Sequence, residues 1–193
     1  FPEHGNTILS VGCGKGRNEL AMARRGLKVS AFDYVPDVVA ILQQRARDAE
    51  LDIDARVSGM DERFPYPDES FDLTADITST MSMKTKEGRK NAVRELYRVL
   101  KPEGLLVAEN ILPTDGFQRE QPQGDDKQKV VWPDKKDEWV LTPEELQEYY
   151  EEAGFEVVHE RLITRDQVVE GQDNKERHMY LSILRKKPLV AAA

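Results

Sequence analysis

With 193 residues, 39% hydrophobic and 33% charged, the chain is long enough to bury one substantial core and short enough to be one domain, so a single unit over residues 1–193 is expected. Its net charge of −8 argues against nucleic acid or an anionic membrane surface as the main partner. The single cysteine, Cys13, rules out an internal disulfide and a multi-thiolate metal centre, which fits a reducing cytoplasm and no metal.

No run reaches the roughly 18 apolar residues of a membrane span, and no leader pattern is read, so neither membrane nor export is expected. Residues 7–11, TILSV, are short, apolar and β-prone, and glycines end them: a buried strand. RNELAMARRG then suits a helix, with Leu20, Met22 and Ala23 on one face and Gly26 at the stop. LKVSAFD (27–33) is a second strand ending on an acid, and Pro36 opens a second helix. IDARVSG (53–59) and FDLTAD (71–76) read as third and fourth strands. Ala92, Val93, Leu96 and Val99 stripe a helix over 86–100, stopped by Pro102 and Gly104, and LLVAEN (105–110) is a fifth strand. Residues 111–139, rich in Pro, Gly, Asp, Lys and Gln, break the alternation as a loop insertion on the substrate side. A helix returns at TPEELQEYYEEAG, where Thr142 and Glu145 form a capping box around Pro143. FEVVHERLI and HMYLSILRK close the chain as an antiparallel hairpin. The sum is an α/β fold: a Rossmann-like, doubly wound, mostly parallel seven-stranded sheet with a C-terminal antiparallel hairpin.

In such sheets ligands lie at the carboxyl ends of the strands where strand order reverses, and the first strand's exit loop lies there. Gly12, Gly14 and Gly16 occupy that loop, where the missing β-carbons let a ligand lie against the main chain. The spacing is G-x-G-x-G, not the G-x-G-x-x-G of dinucleotide enzymes, which speaks against a pyrophosphate on the helix start and against a nicotinamide oxidoreductase. Asp33 closes the second strand, where a carboxylate can accept both hydroxyls of a ribose. Loop and acid together point to an adenosine.

On these residues the chain resembles the class I S-adenosylmethionine-dependent methyltransferases, from ILSVGCGKG through AFD, SGMDERFPYPDESFDL and LYRVLKPEGLLVAE. Within that class, GKGRN and the ending LQEYYEEAG…NKERHMYLSILRKK resemble the tellurite-resistance type of small-molecule methyltransferase. The resemblance implies S-adenosyl-L-methionine as cofactor, with Gly12, Gly14 and Gly16 bedding its methionine and ribose portion, Asp33 holding the ribose diol and Tyr34 beside the adenine. The adenine-edge position falls on Met60 or Asp61, because two registers fit. Asp76, leaving the fourth strand, would lie near the reacting methyl or serve as a strand-end carboxylate. The family usually carries an acid two residues before the first glycine; here that position is Ser10, which can hydrogen-bond but cannot offset an ammonium.

The expected reaction is methyl transfer to a small-molecule nucleophile by in-line displacement, which mainly needs alignment and exclusion of water. Amine or alcohol acceptors call for a base, and the subgroup resemblance puts His178 over the acceptor pocket with Arg177 as an anion contact. Trp132 and Trp139 lie in the irregular segment, where they either wall the substrate or anchor the loop. Cys13 reads as a small buried residue rather than a nucleophile. Two other functions stay open: a cyclase or lyase that consumes the cofactor itself, for which Ser10 is the hint, and a non-catalytic module that binds it.

Overall fold

The computed structural model describes residues 5–122, 124, 128–131, 137–167 and 175–188. Strands β1 (Thr7–Val11), β2 (Lys28–Asp33) and β3 (Ile53–Val57) alternate with helices α1 (Arg17–Ala23) and α2 (Pro36–Asp48); β4 (Phe71–Ile77) follows β3 directly, and α3 (Lys86–Val99) leads to β5 (Leu100–Ile111). After a short ribbon of β6 (Lys129–Val131) and β7 (Asp137–Trp139), α4 (Pro143–Glu152) leads into the hairpin β8 (Phe155–Gln167) and β9 (Lys175–Lys186). The main sheet runs β3-β2-β1-β4-β5-β9-β8. Strands β1 to β5 are parallel, and β9 lies antiparallel between β5 and β8.

The two faces explain the near-continuous apolar runs in the strands, since a parallel sheet is covered on both sides. Leu9, Val11 and Phe32 point toward α3 and α4, where Ala92, Val93, Leu96, Leu146 and Tyr150 complete the largest core cluster. Ala31 and Ala55 point the other way, against Leu20 of α1 and Val39 and Leu42 of α2. Helix α4 opens on the expected capping box: Thr142 N donates to Glu145 Oε2 at 2.8 Å and Glu145 N donates to Thr142 Oγ1 at 3.3 Å.

Three segments depart from the sequence reading. β5 begins at Leu100, which pairs with Phe71; KPEG then bulges, with Glu103 at φ 62°, before pairing resumes at Leu73–Leu105. The glycine and proline there mark a bulge rather than the strand's start. The hairpin strands are longer than expected at the turn end, with Gln167 opposite Lys175. The stretch read as irregular is partly ordered around Asp115, wholly buried, whose carboxylate accepts from Phe117 N, His178 N and Arg177 Nε.

Candidate functional site

β1 lies between β2 and β4, so the chain order reverses at its carboxyl end and a crevice opens there. Gly12, Gly14 and Gly16 line it at φ 62°, 51° and 81°, all in the left-handed region. Their roles differ. A β-carbon on Gly12 would fall 2.5 Å from Ser79 Oγ, and one on Gly16 2.2 Å from Leu42 Cδ1, so the protein's own packing claims both spaces. Nothing lies within 4 Å of a β-carbon built on Gly14. Gly14 is where the loop stays bare toward the outside.

Asp33, at the tip of β2, is buried beside this loop. Its Oδ2 accepts from Gly14 N at 2.9 Å and its Oδ1 from Val35 N at 3.0 Å, so one carboxylate joins the glycine loop to the entry of α2. Each oxygen keeps a lone pair for a further donor. Tyr34 next to it is 70% exposed, an aromatic ring standing in solvent at the crevice rim. The turn after β3 reaches the same place, Ser58 N donating to Asp33 O. There Met60 packs half-buried against the cluster containing Phe32 and Phe64, and Asp61 is exposed.

Ser10 is not an isolated hydroxyl. It donates to Glu19 Oε1 of α1 at 2.6 Å, and Glu19 is only 2% exposed. No donor among the described residues reaches Glu19 Oε2. Burial raises the Glu19 carboxyl above the usual range, against a lowering by the Ser10 hydroxyl. Glu19 did not figure among the sequence candidates. Cys13 is buried, as expected: burial first, then the Glu19 and Asp33 carboxylates, push its thiol up to about 12, which keeps it protonated and inert.

Across the crevice, Asp76 at the end of β4 caps a turn. Its Oδ1 accepts from Ser79 N (3.2 Å) and Thr80 N (3.0 Å), and its Oδ2 from Thr80 Oγ1 (2.5 Å). Ser79 Oγ in turn donates to Val11 O at 2.8 Å, tying this turn to the glycine loop. Behind Asp76, buried Arg89 donates from Nη2 to Asn110 Oδ1 (2.9 Å), and Asn110 Nδ2 donates to Tyr150 Oη (3.0 Å). Burial, with the Asp76 carboxylate adding to it, holds the Tyr150 hydroxyl above the usual phenol range.

A family model described as a methyltransferase domain matches residues 8–104, which carry β1 through the glycine loop to the bulge in β5. The chain belongs to the methyltransferase domain family. A ubiquinone biosynthesis O-methyltransferase of Xanthomonas oryzae is 29% identical over 102 residues, covering 53% of this chain and 41% of that protein, so the chain spans about two fifths of that relative's length. Among solved structures, a SAM-dependent methyltransferase from Methanosarcina mazei superposes with TM-score 0.82 at 19% identity, covering 95% of this chain and 93% of that one. TehB from Haemophilus influenzae superposes with TM-score 0.71 at 18% identity, covering 94% and 57%. These likenesses are of fold, and they match the expected seven-stranded architecture.

S-adenosylmethionine is the cofactor that membership implies, and the methyltransferase domain has the features to take it: a bare backbone surface at Gly14 and a buried carboxylate beside it with lone pairs to spare. The remaining sequence candidates lie further out. His178 lies in β9, its Nδ1 3.0 Å from Thr114 Oγ1 and its Nε2 2.9 Å from Glu176. Arg177 directs Nε at Asp115 (2.7 Å) and lays its guanidinium over Phe117, a contact that fastens the segment after β5 to the hairpin. Trp139 is buried and donates from Nε1 to Met83 O at 2.7 Å, which makes it an anchor of β7; its ring also lines a cavity of about 540 Å³ with Lys84, Thr85, Lys86, Lys129 and Val131. Trp132 lies outside the described residues.

Both oxygens of Asp76 are ligated within its own turn, so a scaffold role is the outcome expected on substitution. Asp76→Asn keeps one acceptor oxygen for the two backbone donors but presents an amide to Thr80, so a loss of about 1–2 kcal/mol is expected. Thermal denaturation should show that loss while turnover per folded molecule stays within about threefold. A thousandfold fall in turnover would restore Asp76 to a role at the reacting centre.

Proposed function

We propose that the chain transfers a methyl group from S-adenosylmethionine to a small-molecule nucleophile. The observation that carries this reading is the open backbone at Gly14, hydrogen-bonded to buried Asp33, at the reversal of strand order. In it Gly12, Gly14 and Gly16 form the bed, Asp33 accepts from the ribose diol, Tyr34 covers the adenine, and Met60 or Asp61 meets the adenine edge. Bound S-adenosylmethionine supplies a sulfonium methyl already activated for displacement. What is left to the protein is alignment of the acceptor and exclusion of water.

The acceptor's side of the crevice is assigned to the cavity walled by Trp139, whose flanking Lys84, Lys86 and Lys129 favour an acceptor with anionic character. The sequence resemblance of the closing hairpin to the tellurite-resistance type of small-molecule methyltransferase supports a small acceptor over a macromolecule. His178 is the base for acceptors that must lose a proton, Glu176 accepting from its Nε2–H while Nδ1 exchanges its Thr114 hydroxyl for the acceptor. His178→Ala is expected to slow amine and alcohol acceptors about a hundredfold and to leave thiolates and other soft anions unchanged, since these need no base. Initial rates across such a panel check it.

The alternative in which the cofactor itself is cleaved or cyclised drew its motive from a neutral Ser10, whose hydroxyl is engaged by the buried Glu19 carboxylate. The deciding experiment is mass spectrometry of the adenosyl product after incubation with thiols, amines and oxyanions. S-adenosylhomocysteine together with a methylated acceptor supports methyl transfer. Methylthioadenosine alone would overturn it.

A further inference from the structure

We propose that Arg89 and Tyr150 form a carboxylate-binding pocket that anchors the methyl acceptor, so that the small molecule methylated is one carrying a carboxylate. This deepens the small-molecule methyltransferase reading and rests on it. Arg89, Asn110 and Tyr150 are all buried. Asn110 Oδ1 accepts from Arg89 Nη2 and Asn110 Nδ2 donates to Tyr150 Oη, so the amide is committed at both ends. Donors then outnumber acceptors. Arg89 Nη1 has no partner among the described residues, and the Tyr150 hydroxyl accepts from Asn110 without donating its own proton to any of them. The carboxylates close by are engaged elsewhere: Glu87 pairs with Arg94, Glu152 with Lys90, and Asp76 spends both oxygens on Ser79 and Thr80. A buried guanidinium without an opposite charge is costly, and the Tyr149 ring, 5.5 Å from it, offsets only part of that cost.

What the cluster lacks is an anion with oxygens to share. A carboxylate fits: it is planar, singly charged, and can accept from a guanidinium edge and a phenol at once. A phosphate would bring a second charge against one cation, and a neutral amide would leave the cation unpaired. The place suits an acceptor. Asn110 lies near the end of β5, two residues beyond Ala108, which pairs with Asp76 at the tip of β4, so the cluster stands at the carboxyl edge of the sheet. The Asp76 carboxylate and the Arg89 guanidinium both act on the Tyr150 hydroxyl, which keeps the three groups close together. Arg89 is also one helical turn beyond Lys86 of the lysine-flanked cavity, on the same face of α3. The lysines draw an anion toward that end of α3, and the guanidinium holds it.

Thermal shift of the protein saturated with S-adenosylhomocysteine tests this without turnover, using benzoate as the probe, benzamide as its neutral counterpart and inorganic phosphate as the competing anion. Benzoate is expected to raise the melting temperature saturably, and benzamide and phosphate are not. Arg89→Met should weaken benzoate about ten- to a hundredfold, the range for a charge-assisted hydrogen bond. Tyr150→Phe keeps the ring in the core and should weaken it about three- to tenfold; it also serves should Arg89→Met fold poorly. Calorimetry should find S-adenosylhomocysteine affinity within about twofold of the unaltered protein in both variants, a change that mere loss of folding would not spare. No saturable response to benzoate, an equal response to benzamide, a stronger one to phosphate, or benzoate binding unchanged in both variants would overturn the proposal and leave the cluster as packing between α3, α4 and β5. Those results strike the carboxylate pocket alone. If the unaltered protein does not bind S-adenosylhomocysteine, the adenosyl reading falls and the proposal with it.

Discussion

Replacing Gly12 with alanine is expected to abolish measurable binding of S-adenosylhomocysteine and to lower the melting temperature by about 6–12 °C. Two costs add. At φ 62° the new side chain sits in the left-handed region, which costs about 1–2 kcal/mol. Its methyl would also lie 2.5 Å from Ser79 Oγ and 2.7 Å from Ser79 Cβ, and relieving that overlap costs about 1–3 kcal/mol more. About 3 kcal/mol in a domain of this size corresponds to the stated shift. Relief must come by moving the glycine loop or the turn that Asp76 caps, and Ser79 joins them through its bond to Val11 O. Gly14→Ala isolates the ligand's share: with nothing near its β-carbon it bears the backbone strain alone, about 1–2 kcal/mol, yet its methyl stands in the proposed cofactor bed. A small drop in melting temperature with a large loss of affinity at Gly14, and a large drop in both at Gly12, is the expected pair. Should Gly14→Ala bind the ligand normally, the bare surface is not the cradle.

The second large effect is expected at Asp33. Alanine there removes the acceptor of Gly14 N and Val35 N together. Hydrogen bonds to a charged group contribute about 1.5–3 kcal/mol each, part of which water recovers at a half-exposed loop, so a loss of about 3 kcal/mol is expected. Asparagine keeps one acceptor and opposes the other backbone N–H with its own, which should place it about midway. If Asp33 also accepts from the ribose, then removing a ribose hydroxyl from the ligand will weaken binding to the unaltered protein and make little difference to Asp33→Asn. That non-additivity, measured by calorimetry over the four combinations, separates a ligand contact from loop support. Additive losses would confine Asp33 to holding the loop.

What could be read from the residues is what they declare locally. TILSV followed by spaced glycines, LKVSAFD ending on its acid, and Thr142-Pro143 with Glu145 three residues after the cap each carry their own stop and start signals, and the observed β1, β2 and α4 follow them. The missed features depend on side-chain direction. Glu19 sits in the polar first turn of α1 and reads as solvated, but it turns inward under the loop to meet Ser10. Arg89 stands in the charged string KEGRKN and is 2% exposed, because it begins the same stripe that Ala92, Val93 and Leu96 continue. Its three- and four-residue spacing from those positions was the available signal. The partners of Asp76 and Arg177, a turn after β4 and the carboxylate of Asp115, become visible only once β4, β5 and β9 lie side by side. The ribbon of β6 and β7 has three residues a strand, too few to declare a period.

The lone thiol of the chain offers a clock for breathing motions. With burial pushing the Cys13 thiol up to about 12 and the side chain enclosed, almost none of it is the reactive thiolate at neutral pH. A maleimide or disulfide reagent then reacts mainly through transient openings that return the sulfur to water, where it ionises normally. Labelling followed by mass spectrometry would thus count how often the segment from Gly12 to Gly16 lifts away from β2. Occupancy of the crevice should slow that count in proportion to the ligand's grip, giving an affinity scale for any candidate molecule before its chemistry is known.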